Sequence, residues 1–342
     1  MSSEPSFDLS VVVPVLDERE QIAPLFESLR RQIEVRIEVI LSDGGSSDGT
    51  VELARTLAAP AALPLTVVTG TRGRGAQMNR GAAASRSPHV LFLHADSRFT
   101  DPRALRSALD RLAAAETRHC DTPVAGRFSL IFAFDRTPPL PYRFYQYKAR
   151  LDRPGCTHGD QGFLLSRHAF ERLGPFPETF MEDNVFAERV REQGAWLLFP
   201  SEILTSPRRF LVEGLRPRQT LNAVLMNLYW IGRLDLLGDL ERTYRRHGST
   251  ERLDLSAFLP ALRERIERLP TGERSRFWQE TGSYVRSQAW QLAFLTDVVL
   301  GQEKKGICLT LHDGIFDRLT DNALGRRIAT LLTKCWFRMV AG

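Results

Sequence analysis

The sequence has 342 residues, of which 43% are hydrophobic, and its 46 basic and 41 acidic side chains give a formal net charge of +5. This length favours one large or two ordinary domains, and the apolar fraction excludes disorder along the whole chain. Only four of the basic residues are lysines, so nearly every cation is an arginine, which makes paired contacts with phosphate or carboxylate.

Short apolar runs alternate with helical patterns over the first 120 residues. The run Leu9–Val15 is β-branched and continuously apolar, which is typical of a strand covered on both faces. The same reasoning predicts further strands at 35–41, 65–69 and 89–93, with helices over 22–33, over 50–57 and after Pro102. Alternating strands and helices predict right-handed βαβ units and a mostly parallel sheet.

The pattern of predicted elements changes in the second half of the chain. A strand over 127–134, a proline-rich connection over 138–141 and a helix from near Asp183 are predicted first. From about residue 249 the pattern is helical, with three apolar stripes of which the last runs from Leu324 to Met339, and with one lone strand predicted over 306–313. We expect a boundary near 245–255, which divides the chain into an α/β domain over 1–245 and a mainly helical extension over 250–342.

The loops that follow the predicted strands carry the candidate site, because ligands bind at the carboxyl ends of parallel strands. Small residues in the second loop allow a ligand to approach the backbone, and the arginines of the third suit a diphosphate. In chain order these loops contain Pro14 and Glu18, then Asp43 and Gly44, then Arg72 and Arg74, and finally His94 and Asp96. Each loop alone is weak evidence, and an ordinary turn or a solvated loop explains it as well.

Taken together, the loops resemble glycosyltransferase family 2, which has the GT-A fold. Its first block resembles Pro14-Val15-Leu16-Asp17-Glu18, its second the stretch 43–50, and its Asp-x-Asp block resembles His94-Ala95-Asp96. In the acceptor half, the stretches 158–163, 173–176 and 181–184 resemble the block that ends in a Glu-Asp pair. The resemblance covers roughly residues 9–235 and implies a Rossmann-like, mostly parallel sheet flanked by helices.

The resemblance also implies roles for these residues. It implies a nucleotide-sugar donor linked to uridine diphosphate, assigns Asp43 to the uracil base and Glu18 to the nucleoside pocket, and places Pro14 and Gly44 in the same nucleotide-sugar site. It assigns Asp183, beside Glu182, to catalysis as general base for an acceptor hydroxyl, in an inverting transfer of hexosyltransferase type. The remaining predicted contacts are with the diphosphate (Arg72, Arg74, Asp96, Arg208 and Arg209) and on the acceptor side (Gly159, Asp160 and Gln161).

A divalent cation, Mn²⁺ or Mg²⁺, is implied at the diphosphate, where it neutralises the charge of the leaving group. Asp96 matches the more directly coordinating carboxylate of the family. His94 departs from the family by replacing the first acid of Asp-x-Asp, and imidazole suits Mn²⁺ better than Mg²⁺. His94 and His158 are therefore candidate further ligands, and a packed or solvent-facing loop histidine is the alternative for His158.

Residues 205–250 hold eight arginines against four acids, a local balance of +4. Leu221, Val224, Leu225 and Leu228 interleave with these cations, so the segment is either an amphipathic helix on an anionic membrane surface or a helix packed on the catalytic core. A lipid-linked acceptor would make membrane contact useful. Nucleic acid is disfavoured as a partner, because neither a recognition motif nor a basic run with interleaved aromatic residues is present.

The sequence predicts a cytoplasmic protein, peripheral on the inner membrane face if the basic segment binds lipid. The four cysteines are far apart, without Cys-x-x-Cys or zinc-finger spacing, which indicates free thiols in a reducing compartment. The N-terminus lacks the pattern of a secretory signal, and no window approaches the ~20 apolar residues of a membrane span.

Two other functions are alternatives to the glycosyltransferase hypothesis. A sugar nucleotidyltransferase should carry a glycine-rich loop with Arg and Lys near the first strand, where this chain has Leu16-Asp17-Glu18-Arg19. A catalytically silent scaffold that acts through its C-terminal helices is favoured by His94, and the retained acids Asp43, Asp96, Glu182 and Asp183 argue against it.

Overall fold

The computed structural model describes residues 7–59, 63–179, 181–238 and 252–341. The chain divides into two compact units, Met1–Ser206 and Pro207–Gly342. The first unit is built on one eight-stranded sheet, and its strands are β1 (Leu9–Val15), β2 (Ile37–Asp43), β3 (Leu65–Thr69), β4 (His89–Phe92), β5 (Arg98–Phe99), β6 (Val124–Phe132), β7 (Phe163–Ser166) and β8 (Ala195–Thr205).

The order of the strands is β3-β2-β1-β4-β7-β6-β8-β5. Strands β3, β2, β1 and β4 are parallel to one another, and β6 is parallel to β8. Strand β7 runs antiparallel to both β4 and β6, and β5 runs antiparallel to β8. The sheet is therefore mixed and mostly parallel, which confirms the predicted fold class.

Among the described residues of this unit, seven α-helices flank the sheet: α1 (Arg19–Arg30), α2 (Thr50–Ala58), α3 (Arg74–Ala84), α4 (Ala104–Arg118), α5 (Leu140–Lys148), α6 (Arg167–Leu173) and α7 (Glu182–Gln193). Strand β1 is almost entirely buried because helices cover the sheet on both sides, as its unbroken apolar run predicts. Ser166 begins α6 by accepting a hydrogen bond from the amide of Ala169 at 3.2 Å, the usual role of serine at a helix start.

A cluster of aromatic side chains forms the core under the start of α7. The rings of Phe176 and Phe186 stack with centroids 4.2 Å apart, and Phe92 meets Phe176 edge-on at 4.8 Å. Phe163 and Phe186 are both almost completely buried, so this cluster joins β4 and β7 to α7. Helix α7 thus begins from a rigidly packed base, at the carboxyl end of β4.

The second unit is helical among its described residues. Its helices are α8 (Arg208–Glu213), α9 (Leu215–Trp230), α10 (Phe258–Glu267), α11 (Thr271–Ser287), α12 (Trp290–Val299), α13 (Ile307–Leu311), α14 (Asp317–Thr320) and α15 (Ala323–Val340). No helix within the described ranges has both the length and the apolar character needed to cross a membrane. The predicted boundary near 245–255 stays a prediction, and most of it falls on residues 239–251, which lie outside the described residues.

The lone strand predicted over 306–313 is wrong, because residues 307–311 form helix α13 and 312–316 continue it as a wider turn. The buried carboxylate of Asp297 explains the difference. It accepts the amides of Cys308 and Leu309 at 2.8 and 2.9 Å, so it caps the first turn of this helix. A cap supplied from ten or more residues away is invisible to local periodicity.

Gly81 allows α3 to lie directly on β1. A methyl group at this position would lie 2.3 Å from Cγ1 of Val12, whose side chain is fully buried in the sheet. Gly81→Ala should therefore lower the free energy of unfolding by roughly 1–3 kcal/mol through overpacking. Chemical denaturation followed by circular dichroism measures this change.

The matched control is Gly272→Ala in the first turn of α11, where no atom lies within 4 Å of the added methyl group. That variant should gain up to about 1 kcal/mol, because alanine favours the helix over glycine. Equal effects of the two substitutions would contradict the close packing of α3 on β1.

Candidate functional site

The loops after β1 and β2 are joined by hydrogen bonds between backbone and side chains. The amide of Asp17 donates to Oγ of Ser46 at 3.0 Å, and the amide of Ser47 donates to Oδ1 of Asp17 at 2.7 Å. The amide of Glu18 donates to Oγ1 of Thr50, also at 3.0 Å. Asp17 has a φ of 54°, a left-handed conformation that aspartate tolerates better than most residues. The predicted nucleoside loops thus form one connected surface.

Asp43 lies at the end of β2 and is 4% exposed. Its two carboxylate oxygens accept the amides of Gly45 and Ser46 at 3.1 and 3.0 Å, so it shapes the loop in which Gly44 lies. The amide of Gly44 in turn donates to the carbonyl of Val15, beside Pro14, at 3.0 Å. The structure therefore brings Pro14, Asp43 and Gly44 together at the carboxyl edge of the sheet.

Gln77 is a structural residue of this edge that the sequence analysis missed. Its amide nitrogen donates to the carbonyls of Val15 at 2.7 Å and of Ser42 at 2.9 Å, and it is buried. It therefore fixes the ends of β1 and β2 relative to α3, and a methyl group on Gly44 would press against it at 3.0 Å. The segment 73–79, which contains Gln77, resembles a block of a small bacterial subgroup of the family, but that resemblance gives this glutamine no role.

Helix α3 also holds the segment that leads into α7. The side-chain amide of Asn79 donates to the carbonyl of Phe176 and accepts its amide, both at 2.8 Å. A methyl group at Gly75 would lie 2.3 Å from the carbonyl oxygen of Pro177, so only glycine permits this approach. At the start of α3, Arg74 forms an ion pair with Glu182 at 3.3 Å. One helix thus connects a predicted diphosphate residue to the predicted catalytic pair.

Asp183 lies in the first turn of α7, and the chain supplies hydrogen bonds to both of its oxygens. Oδ2 accepts the amide of Gly159 at 3.0 Å, and Oδ1 accepts the backbone and side-chain amides of Asn184 at 2.9 and 3.1 Å. Burial acts to raise the pKa of Asp183, but the positive charge of Arg74 and the Gly159 amide outweigh it and lower this pKa. The carboxylate is therefore ionised at neutral pH, as a general base must be.

His94 approaches the same point. A methyl group at Gly159 would lie 3.0 Å from Nε2 of His94 and 3.2 Å from Oδ2 of Asp183. Asp96, two residues further, accepts a long hydrogen bond of 3.5 Å from the hydroxyl of Thr205 at the end of β8. The ends of β4 and β8, the loop before β7 and the start of α7 therefore meet here.

Asp160 lies in an unfavourable electrostatic environment. Its Oδ1 is buried without a hydrogen-bond partner. Burial, together with the negative charges of Asp183 and Asp96, raises the pKa of Asp160 to about 7. Asp96, Asp160 and Asp183 are thus close enough to repel one another, and positive charge supplied by a ligand would relieve this repulsion.

The other predicted acceptor-side residues hold the loop that carries Asp160. Gln161 is fully buried and donates to the carbonyls of Phe128 at 3.1 Å and Ala149 at 2.7 Å, while its oxygen accepts the amide of His158. Nδ1 of His158 lies 3.1 Å from Oδ1 of Asn184. Burial and the charge of Lys148 lower the pKa of His158 to about 4, so the ring is neutral at pH 7.

Two carboxylates have the chemistry that fits a divalent cation, Asp96 and the unpartnered Oδ1 of Asp160. In the part of the chain that the structure describes, no group of three or more His, Cys, Asp or Glu side chains is gathered as a complete metal site. Mg²⁺ is commonly bound by one or two carboxylates together with substrate phosphates, so two protein oxygens suit a cation that arrives with a diphosphate.

The remaining predicted contacts with the diphosphate lie elsewhere along the chain. Arg72 is exposed on the loop between β3 and α3. Arg208 and Arg209 begin α8 of the second unit, where Arg209 pairs with the buried Glu213 at 3.0 Å. Glu213 also accepts from Arg218 at 3.1 Å, so two cations of the basic segment neutralise one internal acid. The arginines at 242, 245 and 246 lie outside the described residues.

Residues 10–174 match the family model of glycosyl transferase family 2. This part of the chain belongs to that family. The match ends within the acceptor half, shortly before Glu182 and Asp183, and it contains every predicted nucleoside residue. Residues 10–174 are therefore a glycosyl transferase family 2 segment, and the sheet that they contribute to has the GT-A fold.

Two curated relatives support the family assignment. The succinoglycan biosynthesis protein ExoA of Rhizobium meliloti (strain 1021) is 27% identical over 212 residues, which are 59% of this chain and 64% of that protein. The dodecaprenyl-phosphate galacturonate synthase of Rhizobium johnstonii is 32% identical over 127 residues, 36% of each chain. This chain thus spans less than two thirds of the length of either relative.

Among solved structures, the mannosyltransferase PcManGT from Pyrobaculum calidifontis, in complex with GDP-Man and Mn²⁺, superposes with a TM-score of 0.51. The two sequences are 17% identical, and the match covers 91% of this chain and 88% of that one. At this identity the likeness supports the fold.

The raised pKa of Asp160 predicts a stability cost at neutral and alkaline pH. The pKa of Asp160 is about 7 in the folded state, whereas its ordinary value is 3.8. The folded protein therefore loses stability as the pH rises from 3.8 to about 7. Asp160→Asn should therefore raise the melting temperature by several degrees at pH 8 and leave it nearly unchanged at pH 4. Thermal unfolding at both pH values measures this difference.

Asp121→Asn, at an exposed aspartate outside the site, is the control and should not alter the pH dependence. A melting temperature of Asp160→Asn that equals the wild-type value at pH 8 would show that Asp160 is not strained by its neighbours.

Proposed function

We propose that this glycosyltransferase moves a sugar from a nucleoside diphosphate donor, a UDP-sugar, to an acceptor hydroxyl with inversion at the anomeric carbon. The observation that carries the proposal is the position of Asp183. Its carboxylate is held from the Gly159 side and by Asn184, its pKa is lowered, and it lies among the loops at the carboxyl edge of the sheet.

In the proposed reaction the acceptor oxygen attacks the anomeric carbon while the bond from that carbon to the diphosphate oxygen breaks. The hydroxyl proton passes to Asp183 as the new bond forms. Direct displacement by one nucleophile inverts the configuration of the carbon. The two hydrogen bonds from Asn184 and the one from Gly159 keep the carboxylate in one orientation, so it needs little reorganisation before accepting the proton.

The donor is proposed to lie over the joined loops after β1 and β2. Glu18, Asp43 and Gly44 with Pro14 border the nucleoside, and Arg72 and Arg74 are cations for its diphosphate. The roles of Arg208 and Arg209 at the diphosphate stay predictions. The related PcManGT structure contains a nucleotide sugar, GDP-Man, which supports a donor of this class without deciding the base.

A divalent cation held by Asp96 and Asp160 would neutralise charge on the departing diphosphate. The buried oxygen of Asp160 supports this assignment, and the Mn²⁺ in the PcManGT complex agrees with it. His94 stays a candidate ligand beside Asp183. His158 is the weaker candidate, because its Nδ1 faces Asn184 in the loop that it stabilises.

The acceptor is proposed to be lipid-linked and the protein to work in the cytoplasm at the inner membrane face. One relative is named as a dodecaprenyl-phosphate galacturonate synthase, so an acceptor attached to a polyprenyl lipid agrees with the family. Membrane contact through 205–250 stays a prediction, and the structure describes that segment only as far as residue 238.

Replacement of the proposed base tests this function. Asp183→Asn should lower transfer to acceptor by at least ~10²-fold, the usual contribution of a general base, while donor affinity stays within about twofold of the wild type. The purified variant is incubated with UDP-sugars, Mn²⁺ and a membrane extract, product is detected by mass spectrometry, and UDP binding is measured by calorimetry.

Asp121→Asn is again the control and should retain full transfer. Unchanged transfer by Asp183→Asn would contradict the role of Asp183. Failure of the wild type to bind any nucleoside diphosphate, with or without metal, would contradict the enzyme function and favour the silent scaffold instead.

A further inference from the structure

Exposed large apolar side chains are distributed unequally between the two units. Among the described residues, the first unit exposes two, Ile33 and Leu140, whereas the second exposes eighteen. Soluble proteins scatter such residues singly, and a concentration of them indicates an interaction surface. Sixteen of these eighteen lie in the helical extension over 250–342, which the family resemblance does not explain.

Helix α15 carries the most continuous part of this surface. Five of its apolar side chains are between 51% and 75% exposed, and they recur at helical spacing: Leu324, Ile328, Leu331, Leu332 and Met339. Cys335 lies in the same stripe and is also exposed. We call these six residues the α15 stripe. The apolar periodicity predicts a helix here correctly, but the stripe faces solvent.

The opposite side of α15 accounts for the packing of the helix. Phe337 is buried and its ring meets that of Trp278 edge-on, with centroids 5.8 Å apart. A methyl group at Gly282 of α11 would lie 1.9 Å from Oγ1 of Thr330, so the two helices are in close contact. Helix α15 is thus fixed to its own unit by one face and presents the α15 stripe on the other.

The charges of α15 indicate which kind of partner the α15 stripe binds. The helix contains four cations and no acid: Arg326, Arg327, Lys334 and Arg338. On a helical projection Arg327, Lys334 and Arg338 lie along one border of the α15 stripe, and Arg327 and Arg338 are exposed. An amphipathic helix with cations beside its apolar face is suited to lie in the plane of an anionic lipid surface.

A second copy of this chain is a less suitable partner for the α15 stripe. Two α15 helices packed face to face would bring their six bordering cations together, with no acid on either helix to pair with them. Phospholipid headgroups would instead supply the negative charge, and the leucines would insert among the acyl chains. The length also suits this arrangement, since 18 helical residues extend about 27 Å along a surface.

We propose that the α15 stripe and its bordering cations attach the protein peripherally to a bilayer that contains anionic phospholipid. The attachment site is thus the C-terminal helix, outside the basic segment 205–250. This assignment is independent of the sugar transfer, since it needs neither donor nor acceptor.

The test is co-sedimentation of the full chain with vesicles of phosphatidylcholine alone and with vesicles that also contain phosphatidylglycerol. We expect binding to the mixed vesicles, weaker binding to the neutral ones, and a loss of affinity as salt screens the cations. A triple variant, Leu324→Gln, Leu331→Gln and Leu332→Gln, should lose more than about tenfold in affinity, because each leucine loses its apolar burial. Glutamine is a good helix former, and all three positions are exposed, so the fold should persist.

Two further variants separate the parts of the proposal. Arg327→Gln with Arg338→Gln should reduce binding to the mixed vesicles and leave binding to neutral vesicles unchanged. Leu211→Gln, at a leucine of α8 that is 61% exposed within 205–250, is the matched control and should bind as the wild type does.

Four outcomes would overturn the proposal. Absence of wild-type binding to either vesicle, or equal binding by the wild type and the triple variant, removes the lipid surface as partner. Loss of binding by Leu211→Gln alone would show that the attachment depends on the segment 205–250. A dimer in sedimentation velocity that the triple variant abolishes identifies the stripe as an interface between copies.

Discussion

The repulsion that the negative charges of Asp96 and Asp183 exert on Asp160 is the constraint on which the candidate site depends. Parallel strands deliver their following loops to one edge of the sheet, so residues far apart in sequence reach the same place. Three buried or half-buried carboxylates at such an edge are unfavourable unless amides and cations compensate them. Asp183 receives that compensation from Gly159, Asn184 and Arg74. At Asp160, burial and the charges of Asp183 and Asp96 outweigh the effect of Arg74, and a positively charged ligand would relieve this repulsion.

Much of the sheet could be predicted from sequence because its strands are short, apolar and rich in β-branched residues. β1 and β3 match their predicted ranges, and β2 and β4 begin or end within two residues of theirs. Strand β7 was not predicted, and neither was α3, which starts at Arg74 inside what was interpreted as a flexible loop. The glycines at 73, 75 and 81 weaken the helical pattern there, although two of them permit the close approaches that α3 needs.

The residues of the candidate site could be predicted where a family motif contains them. Residues that support the site through hydrogen bonds to distant parts of the chain could not. Asp43, Asp96 and Asp183 follow recognisable patterns, and the loops that carry them are positioned by the sheet. The segment that contains Gln77 and Asn79 implies no role for either residue, because their partners lie 62 and 97 residues away along the chain. Periodicity describes neighbours on one element, so side chains that connect two elements escape it. The same limit explains α13, whose first turn depends on Asp297.

The ion pair between Arg74 and Glu182 would link donor binding to the proposed base. Arg74 is a proposed partner of the donor diphosphate, and it already contacts the residue next to Asp183. A diphosphate that drew this guanidinium away from Glu182 would also withdraw positive charge from Asp183, whose pKa Arg74 lowers. Donor binding would then make Asp183 more basic before an acceptor is activated.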